Sequence, residues 1–333
     1  MAYVLGVDGG NTKTIALVAR DDGTILGAGR AGFGDIYRTD SPSVAFDSIA
    51  AAIDRALVAA EIQVADLAAS GFSLAGADWP EDFILIQSAM EQGGYGKTVV
   101  LVNDSLGALR AGSPDGTGVA VACGTGVATG ARAADGRSWH SSFWQGRNGA
   151  GEMGHLALAA ICRAELGIDP PTSLTPRALK LFDQPSVEGL LHLLTARQSA
   201  SSESRLGLLA PVLLDAAGHG DDTACEIVRD LGGRLGDYAL AAARQVDIAD
   251  QPFHLVLSGG VFRHPHRDLI DTMIERVHRE APAVEPIHSP FEPVIGAVFL
   301  ALEAAGTAID DNLRHRLRPT IPAADFFKTA KDG

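Results

Sequence analysis

Two glycine-rich turns contain residue types that can bind phosphate through the backbone. Residues 8–14 read Asp-Gly-Gly-Asn-Thr-Lys-Thr, residues 123–126 read Cys-Gly-Thr-Gly, and each turn joins two strand-like runs. Glycine lets the backbone approach a ligand, and the amides of such a turn form a concave anion site. Asp8 could hold Mg²⁺ through water, because that ion keeps several of its waters. A plain hairpin, whose glycines only supply a positive φ, also explains each turn.

A carboxylate stands at the end of another predicted strand. Residues 98–102 are strand-like, and Asn103 and Asp104 lie where this strand passes into a helix. Asp104 could cap that helix, or it could accept the proton of a substrate hydroxyl during phosphoryl transfer. Residues 258–262 follow the predicted strand 253–257 and contain two adjacent glycines. Such a junction could pack against adenine, or it could be only a tight turn.

The elements that position these residues repeat in two halves of the chain. Each half opens with a β-hairpin that has a glycine-rich turn, and helices and further strands follow. The predicted strands are 3–7, 14–19, 24–28, 67–72, 98–102, 117–122, 127–131 and 253–257. The predicted helices are 43–60, 80–92, 105–110, one beyond Pro265, and 293–305, with a mainly helical stretch from 152 to about 246 that the polar residues 199–202 interrupt.

The composition excludes several classes of protein. The chain has 333 residues, 46% of them hydrophobic, with 27 Lys and Arg against 41 Asp and Glu. The resulting charge of −14 repels phosphate backbones, so we expect no nucleic-acid partner. Three scattered cysteines do not make a disulfide scaffold, and no apolar run approaches the ~18 residues of a membrane helix. Because the N-terminus has no basic region and no cleavage site, we expect a soluble cytoplasmic protein without a membrane partner.

The order of six short motifs resembles that of one protein family. The BadF/BadG/BcrA/BcrD ATPase family, which includes the N-acetylglucosamine kinases, lies within the sugar kinase, Hsp70 and actin superfamily. Its resemblance to this chain runs from about residue 3 to residue 306. The motifs are residues 8–14, 74–78, 102–104, 124–126, 257–262 and 293–297.

This resemblance implies an α/β chain with a duplicated ribonuclease-H-like, actin-like ATPase fold. Two lobes would enclose a central cleft for nucleotide and sugar. We expect the first lobe at residues 1–112 and the second at 113–306, with a helical insertion at about 155–247. The last core helix, 293–306, is expected to pack back toward the first lobe, and residues 307–333 form a tail.

The same resemblance implies roles for the motif residues in binding ATP and Mg²⁺. Asp8 would lie near the metal, and Asp104 matches the general base of the sugar kinases. The residues implied in phosphate binding are Gly9, Gly10, Asn11, Thr12 and Lys13 from the first lobe and Gly124, Thr125 and Gly126 from the second. Gly259 and Gly260 would lie against the adenosine.

The implied sugar site departs from the family pattern in two places. Where the family usually has Gly-Asp-Glu-Gly-Ser, this chain has Gly-Glu-Met-Gly-His at 151–155, which resembles the Glu-x-Gly-His of the ROK sugar kinases. No cysteine-rich zinc motif follows, so we expect His155 to bind a hydroxyl. Asp35 stands where N-acetylglucosamine kinases tend to have Asn, and an acceptor-only side chain suits an amine or hydroxyl better than an acetamide. The expected sugar-binding residues are Asp35, Gly76, Asn103, Asp104, Trp144, Glu152 and His155.

We therefore expect an ATP-dependent kinase that phosphorylates a hydroxyl of an amino sugar or hexose. N-acetylglucosamine or glucosamine, phosphorylated at O6, is the favoured substrate, and family members are commonly homodimers. Two alternatives stay open at this stage. One is an ATP-driven activator of a CoA-dehydratase or reductase with a shared iron–sulfur cluster, and the other is a non-catalytic ATP- or sugar-binding module.

Overall fold

The strands of the protein form two five-stranded sheets. The structure is a computed structural model that describes residues 2–146, 148–196 and 205–328. The first sheet has the order β3-β2-β1-β4-β5 and the second β10-β9-β6-β7-β8. In the first sheet the strands are β1 (Tyr3–Gly9), β2 (Thr14–Arg20), β3 (Ile25–Ala31), β4 (Leu67–Leu74) and β5 (Thr98–Asn103). In the second they are β6 (Gly118–Cys123), β7 (Val127–Arg132), β8 (Ser138–His140), β9 (His254–Ser258) and β10 (Glu285–His288).

The two sheets share one topology. In each, a three-stranded antiparallel meander is followed by two strands that pair in parallel beside its first strand. Both predicted hairpins are present, since β1 pairs with β2 down to Gly9–Thr14 and β6 with β7 down to Cys123–Val127. The prediction of a duplicated two-lobed α/β fold is confirmed.

Helices surround both sheets and fill the connection between β8 and β9. Within the described residues, no helix is both long enough and apolar enough to cross a membrane. The predicted break at residues 199–202 lies outside the described residues. The helices are α1 (Pro42–Ala60), α2 (Pro80–Gln92), α3 (Asp104–Gly112), α4 (Ala150–Glu165), α5 (Leu174–Leu181), α6 (Val187–Thr195), α7 (Leu209–Gly218), α8 (Asp222–Gln245), α9 (Asp268–His278), α10 (Pro293–Ala304), α11 (Asp311–Leu317) and α12 (Ala324–Phe327).

Two short strands escaped the sequence analysis. β8 has three residues and β10 has four, and both are edge strands of the second sheet. Strands this short show no full period of alternation, and Pro286 within β10 weakens the strand signal. Both edges therefore emerge only from pairing with strands that are distant in sequence.

Helix α3 is held between the two sheets by contacts that leave no room for side chains. A Cβ on Gly107 would lie 2.0 Å from Ser73 Oγ in β4, and one on Gly130 in β7 would lie 2.4 Å from Ser105 Oγ. Helix α10 crosses α3 equally closely, because a Cβ on Gly296 would lie 1.9 Å from Gly107 O. These glycines fix the start of α3, where Asp104 lies, relative to both sheets.

We predict that Gly296→Ala destabilises the protein, whereas Gly233→Ala does not. Both glycines lie in helices, but a Cβ at Gly233 in α8 would meet no atom within 4 Å. Overpacking at Gly296 should cost about 1–3 kcal/mol in the free energy of unfolding. Gly233→Ala should gain about 0.5–1 kcal/mol, because alanine loses less backbone entropy in a helix. Urea unfolding of both variants measures the difference, and equal stabilities would contradict the proposed close contact.

Candidate functional site

The two glycine hairpins meet where the halves of the molecule face each other. In the first hairpin Gly10 N donates to Lys13 O at 2.9 Å, and in the second Gly124 N donates to Gly126 O at 2.8 Å. The hydroxyl oxygens of Thr12 and Thr125 lie 3.3 Å apart. Residues 113 positions apart in the chain are thus brought to the two sides of one site.

The second hairpin also organises the elements around it. Gly259 has φ +99°, and a Cβ there would lie 2.2 Å from Cys123 O, so the turn after β9 packs against the base of this hairpin. Helix α4 begins on the hairpin itself, because the backbone N–H groups of Ala150 and Gly151 donate to Gly124 O and Thr125 O at 2.9 and 3.1 Å. The residues expected to contact adenosine therefore adjoin those expected to bind phosphate, and Gly260 is exposed beside them.

Asn103 caps helix α3, and so leaves the neighbouring carboxylate available for another role. Its Oδ1 accepts from Ser105 N at 3.1 Å and from Ser105 Oγ at 2.6 Å. Its Nδ2 donates to Ala77 O at 3.2 Å and to Asp78 Oδ1 at 3.1 Å. Asn103 therefore supplies the cap of α3, while backbone N–H groups at the same helix start also lower the pKa of Asp104. The amide of Asn103, an expected sugar-binding group, is occupied by contacts within the protein.

Several carboxylates gather around the start of α3. Burial is the largest cause that raises the pKa of Asp8, Asp78 and Asp104, each to about 7. The negative charges of Asp8 and Asp35 raise the pKa of Asp104 further, and Asp104 in turn raises that of Asp78. Lys13 partly offsets the effect at Asp8. These mutual influences place the acids within one electrostatic cluster.

Asp35 is fixed by the first hairpin and by a close glycine. It is 8% exposed, its Oδ1 accepts from Tyr37 N at 2.9 Å, and its carboxylate also accepts from the Asn11 side chain. A Cβ on Gly76 would lie 3.0 Å from that Oδ1, so Gly76 is needed for its space. Burial raises the pKa of Asp35 despite these hydrogen bonds.

An aromatic contact joins the two halves at the mouth of this site. The ring of Phe143, after β8, lies edge-on to Tyr37 at 5.1 Å and stacked on Trp79 at 6.0 Å between centroids. Ser142 Oγ donates to Asp78 O at 3.4 Å, and Ser142 itself has φ +39°, a conformation that costs a non-glycine residue energy. We call Ser142 and Phe143 the interlobe latch.

A pocket of about 220 Å³ lies beside the latch. Trp144, an expected sugar-binding residue, borders this pocket and is 72% exposed, while its carbonyl accepts from Tyr238 Oη at 3.0 Å. The lining residues are Asp78, Trp79, Ser138, Trp139, His140, Ser142 and Trp144. Aromatic rings with polar groups between them are typical of small-molecule pockets.

Glu152 and His155 lie on the first turns of α4, above the second hairpin. Glu152 is half-buried and His155 is exposed. The hydrogen bonds between the start of α4 and the second hairpin place both residues on the second half of the molecule. Their role in sugar binding stays a prediction.

Two buried amides near the latch were missed by the sequence analysis. Gln145 and Asn148 are 1% and 4% exposed, and Asn148 Nδ2 donates to Gln145 O at 2.7 Å. Both atoms of the Gln145 amide and Oδ1 of Asn148 are buried without a hydrogen-bond partner. Buried polar atoms are almost always satisfied, so these three atoms suit the polar groups of a ligand.

Two further acids were also missed as site residues. Asp78 ends the motif at 74–78, which was the signal available in the sequence. Glu292 directly precedes α10, raises the pKa of Asp8, and pairs with Arg263 Nη1 at 3.0 Å. Neither acid directly follows a predicted strand, which is the sequence signal that marked Asp104.

The donor set around Asp8 fits a hydrated Mg²⁺ ion. Burial makes the ionised form of this carboxylate unfavourable, which a divalent cation would offset. Among the described residues, no group of three His, Cys, Asp or Glu side chains is arranged to hold a metal. Mg²⁺ bound with nucleotides needs only one or two carboxylates besides phosphates and water.

Comparisons with known proteins agree with this architecture. The family described as the BadF/BadG/BcrA/BcrD ATPase family matches residues 5–301. An N-acetylmuramic acid/N-acetylglucosamine kinase of Clostridium acetobutylicum is 26% identical over 315 residues, which are 90% of this chain and 98% of that protein.

Solved structures share the fold. One, assigned provisionally as an N-acetylglucosamine kinase from Chromobacterium violaceum, has a TM-score of 0.69 and 22% identity over 90% of this chain and 99% of its own. A ROK family glucokinase from Streptomyces griseus, in complex with glucose and AMPPNP, has a TM-score of 0.59 and 18% identity over 91% and 100%.

We predict that Phe143→Ala opens the molecule. It removes two aromatic contacts between the halves, each worth about 0.5–1.5 kcal/mol beyond the area that it buries. Without them, the strained Ser142 backbone has less to hold it in place. Small-angle X-ray scattering without ligands should give a larger radius of gyration. Leu166→Ala, at an apolar side chain that is 74% exposed, is the control that should leave the radius unchanged. An unchanged radius for both variants would contradict the latch.

Proposed function

The chain belongs to the BadF/BadG/BcrA/BcrD ATPase family, and we propose that it transfers the γ-phosphoryl group of ATP to a hydroxyl of an amino sugar or hexose. The observation that carries this proposal is the meeting of Thr12 and Thr125 at 3.3 Å beside a cluster of carboxylates that includes Asp104. The names of its relatives as sugar kinases support it.

The nucleotide would lie between the hairpins. The backbone N–H groups of residues 9–13 and 124–126 would bind its phosphates, and Gly259 and Gly260 would contact its adenosine. Mg²⁺, when bound near Asp8, supplies positive charge that offsets the charge developing on the transferred group. Phosphoryl transfer needs little covalent chemistry from the protein, so positioning and electrostatics are its main contributions.

Asp104 would act as the general base. The acceptor hydroxyl loses its proton to the Asp104 carboxylate while its oxygen forms a bond to the γ-phosphorus and the bond to the leaving ADP breaks. A base works best when its pKa lies near the working pH, and burial raises the pKa of Asp104 to about 7. The interlobe latch would help to keep water, a competing acceptor, away from the phosphate.

The carboxylates favour an acceptor with hydroxyls and an amine. Asp35 only accepts hydrogen bonds, so it pairs best with a hydroxyl or an ammonium group; it can accept from the N–H of an acetamide but repels its carbonyl. Glucosamine and N-acetylglucosamine are the proposed acceptors, with O6 as the proposed position because a primary hydroxyl is the least hindered. The homodimer stays a prediction.

We predict that Asp104→Asn abolishes most turnover but keeps nucleotide binding. The amide cannot take the hydroxyl proton, and a general base contributes about 10²–10⁴-fold to the rate. Coupled ADP release with glucosamine and N-acetylglucosamine measures turnover, and calorimetry with ADP measures binding. Full activity in a folded Asp104→Asn variant would remove Asp104 from the mechanism.

The pH profile of the native enzyme gives a second readout of the same residue. Because the base must be ionised, kcat/KM, which reports the pKa values of the free enzyme, should rise with pH and level off above about 7, where the Asp104 carboxyl has lost its proton. Asp35→Asn removes a negative charge that raises this pKa, so its profile should shift to lower pH.

We predict that Asp35→Asn changes the choice between two substrates. An amide at position 35 can donate to an acetamide but loses the charge that attracts an ammonium group. The ratio of kcat/KM for glucosamine to that for N-acetylglucosamine should fall roughly tenfold, the usual effect of a hydrogen bond to a charged group. An equal loss for both sugars would indicate that Asp35 does not contact the 2-substituent.

A further inference from the structure

The segment 321–328 at the end of the described chain is anchored in the core of the first half. The Phe327 side chain is 5% exposed and belongs to the cluster formed by α10 and the first sheet, which includes Phe291 and Phe299. Leu313 and Leu317 of α11 belong to the same cluster. Within the tail expected from residue 307, the last described helix, α12, thus packs against this core.

The backbone carbonyls of this segment bind two cationic side chains of the first half, one from the turn between β1 and β2 and one from β3. Lys13 Nζ donates to Phe327 O. Arg30 Nη1, on β3, donates to Phe326 O at 3.0 Å and to Lys328 O at 2.5 Å. The last carbonyls of a helix have no partner within it, so those at the end of α12 are ready acceptors for cationic side chains.

Lys13 connects this segment to the phosphate hairpin. It is the residue after Thr12, whose hydroxyl faces Thr125, and its own carbonyl closes the hairpin by accepting from Gly10 N. Its ammonium group is also close enough to Asp8 to favour the ionised carboxylate. A free lysine side chain has many rotamers, and a fixed acceptor for its ammonium group removes most of them.

We propose that residues 321–328 are a positioning element of the nucleotide site, which acts through Lys13 by holding its ammonium group beside Asp8 and the phosphate hairpin. This inference rests on the proposed function only in assuming that the hairpin binds a nucleotide. Lys13 is the group that contacts the nucleotide site, and Phe327 is a positioning residue whose carbonyl sets where that group lies.

A double-mutant cycle on nucleotide binding tests this inference. The variants are a chain that ends at Thr320, Lys13→Met, and the two changes combined. ADP affinity, measured by calorimetry with Mg²⁺, should fall about tenfold in each single variant, since each loses a hydrogen bond to a charged group or its positioning. The combined variant should bind no more weakly than Lys13→Met alone, because the segment acts through that side chain.

Three controls separate positioning from general stability. A chain that ends at Thr329 keeps the Lys328 carbonyl in a peptide bond, together with every contact described above, and should bind ADP normally. Arg30→Met leaves Phe327 in the core but releases the neighbouring carbonyls, so it should weaken ADP binding by a smaller factor even if the shortened chain does not fold. Lys13→Arg, which keeps the donor, should restore part of the affinity that Lys13→Met loses.

The outcomes also distinguish this inference from the proposed function. If the native chain does not bind ADP, the proposed function fails. Suppose instead that the native chain binds ADP. If the chain that ends at Thr320 and the Arg30→Met variant both fold and both bind ADP as tightly as the native chain, the positioning role is wrong. Tighter binding by the shortened chain would mean that Phe327 competes with phosphate for Lys13, which also overturns the proposal. So would an additive loss in the combined variant, since the segment would then act independently of Lys13.

Discussion

The site depends on the packing of one short helix between two sheets. Helix α3 touches β4 through Gly107, β7 through Ser105 and α10 through the glycine pair at 107 and 296, and in each contact a Cβ would lie within about 2.4 Å of another atom. Contacts this close, in which a glycine backbone meets a serine side chain or another backbone, tolerate little displacement. Because Asp104 is the first residue of α3, its carboxylate is fixed relative to both hairpins by the fold itself. The Asn103 cap completes this arrangement by satisfying the end of the helix without using Asp104.

The same packing brings together charges that repel one another. Asp8 lies near the end of β1, Asp104 follows β5 of the same sheet, and Asp35 and Asp78 lie on connections at the same end, so the topology of the first half concentrates them. Burial strengthens the repulsion and raises the pKa of three of these acids to about 7. Such a cluster is costly in the folded protein unless a cation, an ammonium group or a proton compensates for it. The cost is consistent with a site shaped for ligands rather than for stability.

Much of the fold could be predicted from the sequence, because its signals are local. Glycine turns between strand-like runs marked both hairpins, and the helix at Pro80–Gln92 begins and ends where proline and glycine predicted. The choice between a capping and a catalytic Asp104 could not be made locally, since it depends on which neighbour caps α3. Phe143, Gln145 and Asn148 were missed for a related reason. Their roles come from contacts with residues of the other half, or from buried atoms without partners, and neither leaves a periodic pattern.

The two halves share a strand order but differ in the side chains that they bring to the site, and the proposed function gives each half a different role. The first half supplies four acids, Asp8, Asp35, Asp78 and Asp104, whereas the second supplies the neutral Thr125, Gln145 and Asn148 and, on the first turn of α4, the single acid Glu152. In the proposed function, the backbone amides of a glycine hairpin can bind phosphate from either half, so the duplication alone would provide for the nucleotide. Proton transfer and recognition of a cationic acceptor need carboxylates, and two opposed sets of them would repel across the interface between the halves. With most of the acids on one side and mainly neutral groups on the other, the halves can approach, and the contact of Phe143 with Tyr37 and Trp79 can then hold them together.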